Sequence, residues 1–271
     1  MSLTSNLVTN KGVYTKNLTD PLYALHRAME AGVDDVGIGA LFGLYDWKFE
    51  VMGLLLHTID LEKHFGGVGP HTISFPRLEP AVNTPFIEKT PYKVNDDTFK
   101  KLVTVIRLSV PYTGMILTAR ENAKVRREVI QVGCTQIDAG SNISIGGYSK
   151  GNPDHERQQF ILGDNRSLDE VVRDLASMGY ITSFCTAGYR YGRTGNYFMD
   201  IARKGRVHYL CMPNAILTFK EYLTDYASPE TREAGEQLIE REIAALPNDT
   251  IKEKVQTLLE RIDAGERDLY L

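Results

Sequence analysis

The most constraining feature of this sequence is a regular alternation of short apolar stretches with longer amphipathic ones, which begins near residue 22. The stretches predicted as strands lie in "VDDVGIGAL", "HTISF", "GMILTA" and "TQIDAGS", and each ends in glycine or polar residues before a helical pattern resumes. Strands that alternate with helices in this way build parallel βαβ units. A closed (β/α)8 barrel has eight such strands. The alternation therefore predicts an α/β fold over residues 21–150 with about four strands, the equivalent of half a TIM-type barrel.

The rest of the chain, residues 151–271, has mainly helical patterns and is predicted to form a C-terminal extension. In "SLDEVVRDLASMG", Ser167 and Glu170 have the spacing of a capping box. A long helical pair is predicted to begin at Thr218, with a break near Pro229, and "YITSFCTA" is predicted as one more short strand. Residues 1–20 match neither pattern and form a divergent N-terminal segment.

The composition argues against several classes of protein. The 271 residues carry a formal net charge of −4, which disfavours non-specific binding to nucleic acid. No apolar run reaches the roughly 18 residues that a membrane span needs. Three cysteines are too few for a disulfide scaffold in a chain of this length. We therefore expect a cytoplasmic protein without nucleic-acid or membrane partners.

Charged and polar side chains follow three successive predicted strands. Because the carboxyl ends of parallel strands meet at one edge, these side chains are predicted to lie together. Arginine binds carboxylates bidentately, so the group favours an anionic or zwitterionic small ligand. A local network of Arg–Glu ion pairs is the alternative interpretation. The residues are Arg77, Glu79, Arg120, Glu121, Asp138 and Ser141.

The glycines of "GIGALFG" follow the first predicted strand. Gly37, Gly39 and Gly43 have the spacing G-x-G-x-x-x-G, which differs from the dinucleotide-binding G-x-G-x-x-G. Two interpretations stay open. The backbone could pass close to a neighbouring strand here, or its amides could meet a ligand.

Metal ligands are a further possibility in two places. Cys185 and Cys211 could hold a metal only with additional ligands, and Gly188 occupies the position where a Cys-x-x-Cys pair would have its second thiolate. His71 opens a predicted strand, where a histidine is more often structural. Cys134 is predicted to be a small buried residue.

Long motifs of the chain resemble the radical S-adenosylmethionine tyrosine lyases. The resemblance runs from about residue 20 to the C-terminus and is closer to the [FeFe]-hydrogenase maturases than to the 2-iminoacetate synthases. It implies a (β/α)8 barrel with a C-terminal extension, and cleavage of tyrosine into p-cresol and dehydroglycine, which the maturases convert on to carbon monoxide and cyanide. The motifs are "DDVGIGALFGLYDWKFEV", "GVGPHTISFPRLEPA", "PYTGMILTARE", "TQIDAGSNISIGGY", "SFCTAGYRYGRTGNYFM" and "CMPNAILTFKEYLTDYAS".

The resemblance also implies cofactors and residue roles. Such enzymes use S-adenosylmethionine, which would lie near Gly37, Gly39 and Gly43, and a [4Fe–4S] cluster. Arg120 would bind the carboxylate of tyrosine with help from Ser141. For a second cluster, Cys185 and Cys211 match the first and third cysteine ligands, and His71 matches a ligand of its labile iron.

Two departures from the family pattern limit what the chain is expected to do. The cluster-binding loop C-x3-C-x2-C does not occur in these 271 residues, and Gly188 replaces the middle ligand of the second cluster. The chain alone is therefore expected to be inactive, as the C-terminal portion of a tyrosine lyase. Alternatively, it is half of a split enzyme that docks with an N-terminal half-barrel chain. A third possibility is a non-catalytic half-barrel that binds a small ligand or forms a homodimer.

Overall fold

The computed structural model describes residues 23–81, 83–150, 158, 160–184 and 195–271. The predicted N-terminal segment 1–20, Cys185 and Gly188 lie outside these residues. Within the described residues the chain forms two compact units. Of the described residues, the first unit contains those up to Asn165 and residues 195–200. The second unit contains residues 166–184 and 201–271.

The first unit is built on a four-stranded parallel sheet in the order β1-β2-β3-β4. This confirms the predicted α/β fold with four parallel strands. The elements are α1 (Ala24–Glu30), β1 (Gly37–Gly39), α2 (Trp47–His64), β2 (Thr72–Ser74), α3 (Phe86–Lys89), α4 (Asp96–Ser109), β3 (Gly114–Leu117), α5 (Ala123–Ile130), β4 (Gln136–Ile137) and α6 (Gly147–Lys150).

Capping side chains and a glycine mark the ends of several helices of the first unit. The side chains of Asp46 and Asn95 accept hydrogen bonds from backbone amides at the starts of α2 and α4, as N-cap residues do. Gly133, which follows α5, has a φ of +114°, a conformation that residues with a side chain rarely adopt. These signals are all contained in short stretches of sequence.

One face of the sheet forms the core of the first unit. Ile73, Met115 and Leu117 alternate with half-buried neighbours along β2 and β3 and are themselves almost completely buried. The ring of Phe75 lies 5.9 Å from that of Phe99 on α4, so this face packs against the helices. The charged side chains that follow the strands therefore lie at the carboxyl end of a well-packed sheet.

The second unit is helical. Its core of buried aliphatic and aromatic residues includes Phe219, Leu223 and Leu238. At the start of its first helix, the predicted capping box between Ser167 and Glu170 is present. The helices are α7 (Leu168–Ser177), the last part of α8 (Gly195–Arg203), α9 (Val207–Asp225), α10 (Pro229–Ala245) and α11 (Asp249–Asp263).

Two local predictions for the second unit were wrong. Residues 180–184 form no strand, because Phe184 has a φ of +52° and packs with Ile181 against the helical core. Helix α9 begins eleven residues before the predicted start at Thr218 and contains Pro213 in its interior. Proline normally disfavours the interior of a helix, so the presence of Pro213 argues against a helix that begins before it. Among the described helices, none combines the length and apolarity required to cross a membrane.

Candidate functional site at the carboxyl ends of the strands

The parallel register brings the ends of the four strands to one edge of the sheet. The chain after β1 continues along the chain after β2, since the Phe42 amide donates to Pro76 O at 2.8 Å and the Leu78 amide donates to Phe42 O at 2.9 Å. Arg77 and Glu79 therefore lie beside the loop after β1. Arg120 follows β3 at the same edge, and its Nη1 donates to the backbone oxygen of Arg77 at 3.5 Å.

Arg77 is the centre of a buried ion-pair network. Its Nε donates to Glu121 Oε1 at 2.9 Å, and its Nη2 forms a second, short contact with Glu121 Oε2. Its Nη1 donates to Asp96 Oδ1 at 2.9 Å and to Val94 O at 3.0 Å. Burial lowers the pKa of Arg77, but the hydrogen bonds and charges of Glu121 and Asp96 outweigh burial and raise it overall. For Arg77 the structure thus favours the alternative interpretation, a structural ion pair.

Arg120 has a different environment. Its guanidinium carbon lies 3.5 Å from the centre of the Phe160 ring, a cation–π contact that fixes the plane of the group. No carboxylate among the described residues forms an ion pair with it. Burial lowers the pKa of Arg120, and the charges of Glu79, Glu121 and Asp138 oppose that effect. Arg120 is therefore a half-buried cation whose fork of donors is available to an anion.

Glu79 and Asp138 supply negative charge near Arg120. Burial, together with the charge of Glu121, raises the pKa of Glu79 to about 7, although Arg77 and Arg120 lower it. Asp138 is tied back to the loop after β3, where its Oδ2 accepts from the amide of Ala119 at 3.1 Å. Among the described residues, the edge therefore carries the Arg120 cation, which has no carboxylate partner, beside carboxylates, a pattern that suits a zwitterion.

The positions of the three predicted glycines and of Ser141 can be described more closely. A side-chain carbon on Gly37 would lie 2.7 Å from Thr72 Oγ1, and one on Gly39 would lie 2.8 Å from Ser74 O. The close approach of β1 to β2 thus requires glycine at position 39, where the backbone of β2 is in the way, whereas at position 37 a side chain would displace the Thr72 hydroxyl. Gly43 has a φ of +111° and packs against Leu78. Ser141 follows β4 and is half-buried at the same edge.

A segment that no sequence pattern indicates, residues 160–164, crosses this edge. The amide of Ile161 donates to Pro80 O at 3.0 Å, and the amides of Gly163 and Asp164 donate to Ala119 O. A side-chain carbon on Gly163 would lie 2.3 Å from Arg120 O, so only glycine fits. This segment also carries Phe160, and it shows neither helical nor strand periodicity that could have indicated its place.

Comparisons with known proteins agree with this architecture. A family profile described as the Biotin and Thiamin Synthesis associated domain matches residues 74–181. A crystal structure of HydG, a maturase of the [FeFe]-hydrogenase, superposes on the whole chain with a TM-score of 0.90 at 49% identity. This chain is a relative of HydG. HydG from Carboxydothermus hydrogenoformans matches 96% of the chain with a TM-score of 0.75 at 38% identity.

The HydG-like chain is also similar to 2-iminoacetate synthases. The enzyme from Salmonella typhimurium is 34% identical over 157 residues, which cover 56% of this chain. The chain spans 39% of that relative and 58% and 55% of the two HydG chains. The predicted relationship is thereby confirmed, whereas the activity of the whole relatives enters below as a proposal.

The cysteines described in this HydG-like chain do not assemble an iron–sulfur site. Burial raises the pKa of Cys134 to about 12, so this residue is a thiol and not a thiolate ligand. Cys211 lies half-buried in α9. Cys185 lies outside the described residues, so its pairing with Cys211 stays a prediction.

His71, the third predicted metal ligand, lies away from the strand ends. It directly precedes β2, at the amino end of the sheet, and is buried. Its Nδ1 lies 3.1 Å from Asp35 Oδ1, and its ring lies 5.1 Å from that of Phe198. A carboxylate partner orients a histidine ring, as in many metal sites and in many purely structural ones. Its role as an iron ligand stays a prediction.

Proposed function

We propose that this chain forms the wall of a tyrosine lyase that binds the amino-acid end of tyrosine. Arg120 binds the carboxylate, with Ser141 assisting, and Glu79 and Asp138 attract the ammonium group. The observation that carries the proposal is the half-buried guanidinium of Arg120, which no described carboxylate pairs with. Arg77 is excluded from this role because Glu121 and Asp96 occupy its donors.

The electrostatics of the edge support an amino acid over a simple anion. A lone anion would be repelled by Glu79, Glu121 and Asp138, which lie close enough to Arg120 to affect its pKa. A zwitterion places its ammonium group among these carboxylates. An ammonium group beside Glu79 would also lower the pKa of that side chain from about 7, so the bound state keeps it ionised.

The reaction class follows from the likeness to HydG and to 2-iminoacetate synthase. In that family S-adenosylmethionine and a [4Fe–4S] cluster supply the radical that cleaves tyrosine. The 271 residues contain no C-x3-C-x2-C loop, so this chain alone is proposed not to cleave tyrosine. An N-terminal half-barrel that carries the loop would complete the enzyme.

Isothermal calorimetry tests the binding role. Tyrosine is titrated into the 271-residue chain and into the Arg120→Met variant, and tyramine, which lacks the carboxylate, serves as the second ligand. Loss of a bidentate carboxylate contact is expected to weaken tyrosine binding at least about tenfold and to leave tyramine binding unchanged. Arg127→Met, on the exposed side of α5, is the matched control. Equal tyrosine affinity in the Arg120→Met variant would refute the assignment.

A turnover assay tests the second part of the proposal. The chain is incubated with tyrosine, S-adenosylmethionine, iron, sulfide and a strong reductant, and p-cresol is measured by chromatography. We expect none from the chain alone. Sustained p-cresol formation would show that the C-x3-C-x2-C loop is dispensable.

A further inference from the structure

A cluster of ring nitrogens and one carboxylate lies where α1 meets the C-terminal part of α2, away from the strand ends. His26 comes from α1, and Asp60 and His64 come from successive turns of α2. His26 Nε2 lies 3.0 Å from Asp60 Oδ2, and His64 Nδ1 lies 3.4 Å from Asp60 Oδ1. The rings of His26 and His64 are 5.0 Å apart. The three side chains therefore converge on one small volume.

His26 is buried without hydrogen bonds to the described residues around it. The residue is 5% exposed, and neither of its ring nitrogens has a hydrogen-bond partner among the described residues. The 3.0 Å approach of Asp60 lacks hydrogen-bond alignment, although its distance is short. A buried polar nitrogen without a hydrogen-bond partner destabilises the fold. A ligand that binds these nitrogens would offset that cost.

A shared metal ion accounts for the misaligned contact. Ligand atoms about 2.0–2.2 Å from a tetrahedral ion are about 3.3–3.6 Å from each other, and they point at the ion and not at each other. The 3.0 Å between His26 Nε2 and Asp60 Oδ2 is slightly shorter than that spacing. His64 Nδ1 donates to the backbone oxygen of Asp60 at 2.8 Å, so Nε2 is the ring nitrogen of His64 that can bind an ion.

We propose that His26, Asp60 and His64 bind a divalent first-row transition-metal ion, with Zn²⁺ as the ion that the ligands suit best. Two imidazoles and one carboxylate form a ligand set that such ions accept, and the i, i+4 spacing of Asp60 and His64 puts two of the ligands on one helix face. The side chains of Asp60 and His64 are 40% and 57% exposed, so the ion enters from solvent and keeps a water ligand. The ion clamps α1 onto α2.

Cobalt spectroscopy tests the site directly. Co²⁺ is titrated into the 271-residue chain carrying Cys185→Ala and Cys211→Ala, so that thiolates cannot contribute ligands. Visible d–d absorption of tetrahedral or five-coordinate Co²⁺ is expected, with displacement by Zn²⁺. Asp60→Asn and His64→Gln are each expected to weaken Co²⁺ binding by at least about tenfold. Asp97→Asn removes an exposed carboxylate elsewhere in the same unit and is expected to leave the affinity unchanged.

Thermal unfolding distinguishes a loss of metal binding from a loss of the fold. Zn²⁺ is expected to raise the melting temperature of the parent that carries Cys185→Ala and Cys211→Ala and of Asp97→Asn, but not that of Asp60→Asn or His64→Gln, because binding stabilises only the state that contains the site. His64 is more than half exposed, so its substitution leaves the fold intact, as circular dichroism would verify. Co²⁺ affinity that is equal in the parent, Asp60→Asn and His64→Gln, or no binding by the parent, would overturn the proposal.

Discussion

Arg77 and Arg120 each follow a strand of the same sheet by three residues, Arg77 after β2 and Arg120 after β3. Around Arg77, the start of α4 and the carboxylate of Glu121 supply an acceptor to every guanidinium nitrogen. Around Arg120, the neighbouring segment supplies the ring of Phe160 and a long contact to one backbone oxygen. Position relative to the strand thus brings an arginine to the edge, and the surrounding loops decide whether it supports the fold or binds a ligand.

The largest expected effect on the free energy of unfolding comes from removing Arg77 from its ion-pair network. Arg77→Met leaves Glu121, which is 2% exposed, as a buried carboxylate without its main partner. Removal of one member of a buried pair costs about 3–5 kcal/mol. Arg120→Met leaves no buried carboxylate without an ion-pair partner, so it is expected to lower the free energy of unfolding by less than about 1 kcal/mol. Urea unfolding of the two variants measures the difference, and equal losses would contradict the distinction between the two arginines.

A second test concerns Glu50, a buried carboxylate that, unlike Glu121, has no arginine partner among the described residues. Glu50 on α2 is 1% exposed, and neither of its oxygens has a hydrogen-bond partner among the described residues. Burial raises its pKa from 4.5 to about 7. Because the folded pKa lies above the unfolded one, stability is lost as the pH rises from about 4.5 to 7 and is then constant.

The Glu50→Gln variant removes that loss. One pKa unit corresponds to about 1.4 kcal/mol, so the variant is expected to gain up to about 3 kcal/mol over the wild type at pH 8, relative to their difference at pH 4. Chemical unfolding at both pH values gives the result. A Glu50→Gln variant whose advantage does not grow with pH would show that the carboxyl group is not buried unpaired.

The smallest expected effect is a pKa change at the binding edge. Arg120 lowers the pKa of Glu79, which is about 7 in the intact protein. In the Arg120→Met variant that pKa is expected to rise, by less than about one unit, because one neighbouring positive charge is lost. Carbon-detected NMR titration of the Glu79 carboxyl measures it, with Arg127→Met as the control. A pKa that stays constant would place Arg120 too far from Glu79 to share a ligand with it.

Much of the scaffold could be predicted from the sequence because its signals are local. The caps of Asp46, Asn95 and Ser167 act over two or three residues, and the alternation of short strands with helices specifies a parallel sheet. Prediction failed where a tertiary contact overrides a local rule. Pro213 is accommodated inside α9, and residues 180–184 pack on helices although their apolar sequence is typical of a strand.

The sequence by itself determined the βαβ order, the edge at which the charged residues gather and the relationship to the tyrosine lyases. Only the tertiary structure decided that Arg77 pairs with Glu121, that Phe160 stacks on Arg120, and that His26 meets Asp60. The reason is distance along the chain: 44 residues separate Arg77 from Glu121. A helix cap is set by atoms a few residues away, whereas the partner of a charged side chain depends on which distant segments the fold brings beside it.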